Sequence, residues 1–105
     1  MGITLFGVGC AVLFSSRSET AHRWVQEGGA VLVDVRGPDE FAKGHIDGAR
    51  NIPVGELASR VGELGAKDTK VIVYCHSGIR ATRAASILKD HGFTRVTNLG
   101  PMSAW

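Results

Sequence analysis

Cys75 ends an apolar run, "KVIVYC" (70–75), and four residues, His76, Ser77, Gly78 and Ile79, separate it from Arg80. Taken alone, a cysteine at a strand end is a small hydrophobe that fills a core. The loop behind it favours a second role. Ahead of a helix that starts near Arg80, successive backbone N–H groups can turn toward one point, where the positive end of the helix dipole adds to them. Such a cradle stabilises an anion, and the thiolate, the nucleophilic form of cysteine, is the anion within reach. Gly78 suits it because inward-facing amides demand backbone angles that most side chains forbid. Cys75 is therefore the expected catalytic residue. Arg80 is expected to bind an anionic substrate or to orient the loop. His76 and Ser77 are expected to line the mouth, with Ile79 completing the substrate-binding loop. No general base is required, because a thiolate already formed needs none.

A cysteine so placed needs a strand that stops at the right level, since open α/β sheets gather their sites beyond the carboxyl ends of the strands. "AVLVDVR" (30–36) and "KVIVYC" are near-continuous apolar, β-branched runs of the kind covered on both faces in a parallel sheet. Ser16, with Glu19 three positions on, forms a capping-box pattern for a short helix that carries Ala21, Trp24 and Val25 on one face and stops at Gly28-Gly29. Gly37-Pro38-Asp39-Glu40 restarts a helix, with proline suited to its first position and acids in its first turn. Residues 44–53 read as a loop with a short strand, and Val54 to Leu64 as a helix. Ala81, Ala84, Ala85 and Leu88 mark a stripe of small apolar residues that brings a helix close to the sheet until Gly92 ends it. "FTRVTNL" (93–99) supplies a further strand. Strands alternating with helices predict an α/β fold, with a mostly parallel central sheet of about five short strands and helices on both faces.

At the end of the 30–36 run stand Asp34 and Arg36. Two roles are open to them: bracing the loop after Cys75, or a local pairing of Arg36 with Glu40 at helical spacing. His45 reads as structural, and Trp24 and Trp105 as packing residues.

Three stretches, "LVDVRGPDEFAKGHIDGARNIP" (32–53), "VIVYCHSGIRA" (71–81) and "NLGPMSAW" (98–105), resemble in order and spacing the single-domain rhodanese-type sulfurtransferases. The resemblance covers about residues 14–105 and implies the three-layer rhodanese-like fold. It implies that Cys75 attacks the outer sulfur of a donor such as thiosulfate, becomes a persulfide, and passes that sulfur to a thiophilic acceptor such as cyanide or a thiol. It also matches Asp34 and Arg36 to the family's Asp-x-Arg element. Pro101 departs from the family, standing where a second glycine is common, and relatives often continue past the position of Trp105. Two rival functions share the loop chemistry. Tyrosine-type phosphatases and arsenate reductases space cysteine and arginine as Cys-x5-Arg, one residue wider than Cys75 and Arg80, and no aspartic acid for leaving-group protonation can be picked out here. A persulfide carrier or binding module for a protein partner is the other alternative.

The bulk composition limits the remaining classes. The 105 residues carry 12 basic and 10 acidic side chains, mixed along the chain for a net charge of +2, which gives no footing for nucleic-acid binding. Cys10 and Cys75 lie in unlike surroundings, so no disulfide is expected, and Cys10 reads as an incidental hydrophobe. His22, His45, His76 and His91 lack ligand spacing, so neither a metal nor a cofactor is expected. "MGITLFGVGCAVLF" (1–14) is uncharged but shorter than the ~20 residues that span a bilayer. Residues 1–13 read equally as a partial membrane anchor or as an apolar arm, the arm leading into a first strand near Ala11–Phe14. The domain proper is expected over 14–105. The need for an intact thiol and the absence of a secretion signal point to the cytoplasm, with membrane association through residues 1–14 as an option and the cell envelope as the alternative.

Overall fold

The computed structural model describes residues 16–105; the expected strand near Ala11–Phe14, the apolar arm and Cys10 lie outside the described residues. Chain order gives helix α1 (Arg17–Glu27), strand β1 (Val31–Asp34), helix α2 (Pro38–Lys43), strand β2 (Arg50–Asn51) and helix α3 (Val54–Arg60), which tightens into a 3-10 turn (Val61–Leu64). Strand β3 (Val71–Cys75), helix α4 (Ile79–Asp90), strand β4 (Val96–Pro101) and a closing 3-10 turn (Met102–Ala104) follow. Among the described residues the sheet has four strands in the order β2-β1-β3-β4, one fewer than the expected five. Every pairing is parallel. No helix of the described residues is long and apolar enough to cross a membrane.

The period of two along a strand divides the core into two layers. On β1 and β3, Val33, Val71, Val73 and Cys75 point to the face covered by α3 and α4, where they meet Leu57, Ala81, Ala84 and Leu88. Leu32, Ile72 and Tyr74 point the other way, against Ala21 of α1 and Leu99. Both β1 and β3 are buried through most of their length, which is why their sequences read as apolar runs without alternation. The small stripe of α4 is realised: Ala81, Ala84, Ala85 and Leu88 are its buried residues.

Local signals set most helix ends. Ser16 caps α1 in both directions, its Oγ accepting from the Glu19 amide at 3.0 Å and its own amide donating to Glu19 Oε1 at 3.2 Å. Ala21 of that helix is buried, whereas Val25, expected beside it, is 44% exposed. The last strand begins later than predicted, at Val96 instead of Phe93. The Phe93 amide is taken by the Leu88 carbonyl and the Thr94 amide by Lys67, so the turn through Gly92 (φ +90°) uses these residues before the strand can start. Phe93 remains a core residue on the α4 face. Strand β4 runs past the predicted end because a bulge opposite Val73 and Tyr74 inserts Leu99, after which Gly100 pairs with Tyr74 and Pro101 with Cys75. Pro101 is tolerated there because β4 is an edge strand.

Candidate active site

Cys75 is the last residue of β3, and the strand's alternation sends its side chain toward the start of α4. The residue is fully buried. Its Sγ accepts from the Gly78 amide at 2.9 Å and from the Ala81 amide at 3.4 Å, two donors instead of the expected full ring of loop amides. The chain passes directly from Gly78 into α4, so its later amides follow the helix axis. This twelve-residue helix nonetheless presents its positive end to the sulfur. Gly78 adopts φ +101°, ψ −19°. A Cβ at that position would sit 3.7 Å from Gly100 Cα and Pro101 Cδ, which is ordinary contact. The backbone angle, not crowding, therefore calls for glycine.

Two side chains that the sequence did not single out hold this loop. Thr82 Oγ1 donates to the Gly78 carbonyl at 3.0 Å, and Asn98 Nδ2 donates to Thr82 Oγ1 at 3.1 Å. Asn98 Oδ1 meanwhile accepts from the Gly100 amide at 2.9 Å across the β4 bulge. Edge strand, helix and loop are thus joined through side-chain hydrogen bonds.

Arg80 is engaged by a residue from another part of the chain. Its Nη1 and Nη2 donate to Glu40 Oε1 and Oε2 at 2.7 and 2.9 Å, a bidentate pair. Glu40 Oε1 also accepts from the Gly37 amide at 3.2 Å, which closes the first turn of α2. The Arg80 guanidinium, and after it the Gly37 amide, hold the Glu40 carboxyl down at about 2. The same contact raises the Arg80 pKa. The pair is partly open to solvent, with 37% and 41% of the two side chains exposed.

Arg36 therefore does not pair with Glu40 through a hydrogen bond; its partner is Asp34. Arg36 Nε and Nη2 reach the Asp34 carboxylate at 2.7 to 3.0 Å, and Nη2 donates to the Gly44 carbonyl at 2.7 Å. Both residues are buried, at 0% and 5% exposure, and hydrogen bonding to Asp34 raises the Arg36 pKa. Asn51 Nδ2 donates to the carbonyls of both residues. This cluster pins the exit of β1 and the loop at Gly44, and so supports the α2 start that carries Glu40. It makes no hydrogen bond to residues 76–79 among the described residues.

On the far face of β3, burial pushes the Tyr74 hydroxyl up to about 12, and its oxygen accepts from the Ile46 amide at 3.1 Å. His45 stacks on Phe41 with ring centroids 3.7 Å apart and shares a 2.8 Å hydrogen bond with the Phe41 carbonyl. Trp24 and Trp105 pack against the α1-side core. At the mouth, His76 and Ser77 are exposed, and Ile79 is 78% exposed. Two open clefts lie elsewhere, about 300 Å³ beside Arg17, Lys89 and Thr97 and about 410 Å³ among Ile46, Asp47, Met102 and Trp105; neither includes Cys75 or residues 76–80.

The arrangement is a buried sulfur with two amide donors and a helix dipole, under a loop whose arginine is tied to a carboxylate. The chain resembles known proteins in sequence and in fold. The chain is 46% identical over 77 residues to YqhL of Bacillus subtilis (strain 168), a match covering 72% of this chain and 60% of that protein's length. It is 34% identical over 91 residues to the thiosulfate sulfurtransferase PspE of Escherichia coli (strain K12), covering 86% of this chain and 80% of PspE. Among solved structures, a rhodanese with anions from E. coli superposes with a TM-score of 0.70 at 34% identity, over 72% of this chain and 91% of that one. The family model of the rhodanese-like domain matches residues 18–105, and the chain belongs to that family.

Proposed function

We propose that this chain is a sulfurtransferase that moves sulfane sulfur from a small donor, such as thiosulfate or a persulfide, to a thiophilic acceptor such as cyanide or a thiol, through a persulfide on Cys75. One observation carries the proposal: Cys75 Sγ, at the carboxyl end of β3, is the acceptor of the Gly78 and Ala81 amides under the N-terminus of α4. The names of several relatives support it, PspE among them.

The attacking form is the thiolate. With thiosulfate, a bond forms between Cys75 Sγ and the outer sulfur, the sulfur–sulfur bond of the donor breaks, and sulfite leaves with its electron pair. The cysteine persulfide then gives its terminal sulfur to the acceptor, and the thiolate is restored. Amide donors aimed at the sulfur stabilise charge at both steps without reorganising. Gly78 and Ala81 supply those donors; Thr82 and Asn98 hold Gly78 in place. His76, Ser77 and Ile79 form the rim over which donor and acceptor pass, with Arg80 beside them. Asp34 and Arg36 support the site from beneath β1.

A second reading takes the acceptor to be a protein, with the chain acting as a persulfide carrier, because Ile79 at the mouth is open to a partner. The phosphatase reading is disfavoured, since Arg80 is engaged by Glu40 and the loop is one residue shorter than that chemistry uses.

The test is intact mass after incubation with a sulfane donor and then with cyanide. The wild type should gain about 32 Da, the mass of one sulfur, and lose it with release of thiocyanate. Cys75→Ser should gain nothing. Absence of the adduct with thiosulfate, with polysulfide and with an organic persulfide, on reduced and folded protein, would overturn the proposal.

A further inference from the structure

Two guanidinium groups stand at the carboxyl edge of the sheet near Cys75, and each has a carboxylate of its own. Arg36 is buried on Asp34 and the Gly44 carbonyl. Arg80, in the first turn of α4, is held end-on by both oxygens of Glu40. Glu40 is itself anchored by the Gly37 amide, and its low pKa keeps it ionised through the neutral range. The mouth of the loop thus carries an arginine with no net charge left over. A thiosulfate dianion approaching the Cys75 thiolate meets the repulsion of a double charge, and the Arg80 guanidinium that could offset it is already compensated by Glu40. A hydropersulfide, neutral or singly charged, meets less. The rim contact available to a donor's organic part is Ile79, 78% exposed. An organic hydropersulfide has a carbon-bearing group to place there; thiosulfate has none.

We propose that Glu40 sets the donor class: by occupying Arg80, it fits the site to an organic hydropersulfide in preference to thiosulfate. This rests on the sulfur-transfer chemistry at Cys75 proposed above. Glu40 acts through Arg80 and is a positioning residue. In the loading step the Cys75 thiolate attacks the outer sulfur of R–S–S–H. The Cys75 Sγ–S bond forms, the S–S bond of the donor breaks, and R–S⁻ leaves with the electron pair. The proton stays on the transferred sulfur or passes to the leaving thiolate. The cysteine sulfur is oxidised and the inner sulfur of the donor is reduced, so no outside oxidant enters.

The experiment measures single-turnover loading of Cys75 by mass, against the concentration of cysteine hydropersulfide and, separately, of thiosulfate. Wild type, Glu40→Gln and Glu40→Gln/Arg80→Gln are compared. Glutamine preserves the contact to the Gly37 amide, because a glutamine side chain serves that position of a capping box as glutamate does. Wild type should load more efficiently from the hydropersulfide by about tenfold or more, a comparison that needs no variant. Glu40→Gln should improve thiosulfate loading by about tenfold, through a lower half-saturating concentration with the maximal rate little changed. Hydropersulfide loading should move less than about threefold, and Arg80→Gln in the same background should cancel the thiosulfate gain. A purely structural role for Glu40 would lower both donors together. Equal loading of wild type by the two donors overturns the proposal. So does a folded Glu40→Gln variant with unchanged thiosulfate loading, or a gain that survives removal of Arg80. If neither donor loads folded wild type, the sulfur-transfer reading itself fails and donor preference falls with it. Normal hydropersulfide loading with no effect of Glu40 overturns donor selection alone.

Discussion

The Gly78 amide lies 2.9 Å from Cys75 Sγ, closer than any other donor to the sulfur among the described residues, and it is delivered by a backbone with φ at +101°. A side chain there strains the loop whatever room surrounds it. Gly78→Ala should cost roughly 1–2 kcal/mol in urea denaturation, the penalty of the left-handed region for an L-residue. It should also slow persulfide formation on Cys75 more than any stability loss explains. Loading at the wild-type rate by Gly78→Ala would show that the amide is not needed at the sulfur.

Asp34 and Arg36 form a buried ion pair whose members satisfy each other. Asp34→Ala leaves a guanidinium that keeps the Gly44 carbonyl but has no carboxylate. Removing one partner of such a pair costs about 3–5 kcal/mol, and urea titration of the variant should read a loss in that range. A loss below 1 kcal/mol would place Arg36 in solvent after a rearrangement.

Tyr74, the register partner of Asp34, offers a milder test on the sheet face away from Cys75. Its oxygen accepts the Ile46 amide and its ring is fully buried. Tyr74→Phe keeps the ring and orphans the amide, at an expected cost of about 1–3 kcal/mol. Sulfur loading at saturating donor should hardly change, because the hydroxyl lies on the side of the sheet away from Cys75.

The Glu40 carboxyl gives a pH signature of known sign. Its folded value, about 2, lies below its ordinary value of 4.5. The contribution of Glu40 to stability is therefore fully present above the ordinary carboxylate range and fades as pH falls from about 4.5 toward 2. The stability gap between wild type and Glu40→Gln should be larger at pH 7 than at pH 3 and should shrink in high salt, since the pair is partly exposed. A gap independent of both pH and salt would show that the charge of the Glu40–Arg80 pair does not contribute to it.

Much of this architecture is legible in the sequence because the signals are local. The run "KVIVYC" becomes β3 over Val71–Cys75, and the spacing of Ser16 and Glu19 becomes a capping box. Gly78 predicts a backbone turn that side chains resist. What escapes is the pairing between distant parts of the chain. Glu40 and Arg80 are 40 residues apart, and no period or motif joins them until β1 and β3 lie side by side. Near at hand, Glu40 has Arg36 at helical spacing, but Arg36 finds Asp34 two residues back in a buried position where a bidentate contact forms. The shift of the last strand has the same origin, since the amides of Phe93 and Thr94 go to Leu88 and Lys67, not to a neighbouring strand.

The complete burial of Cys75 has a consequence for the chemistry of damage. A sulfur without solvent contact is shielded from bulky electrophiles and from peroxide, so irreversible over-oxidation has to wait for the loop to part. Thr82 and Asn98, which hold Gly78 beside the sulfur, then bear on how readily an oxidant reaches Cys75.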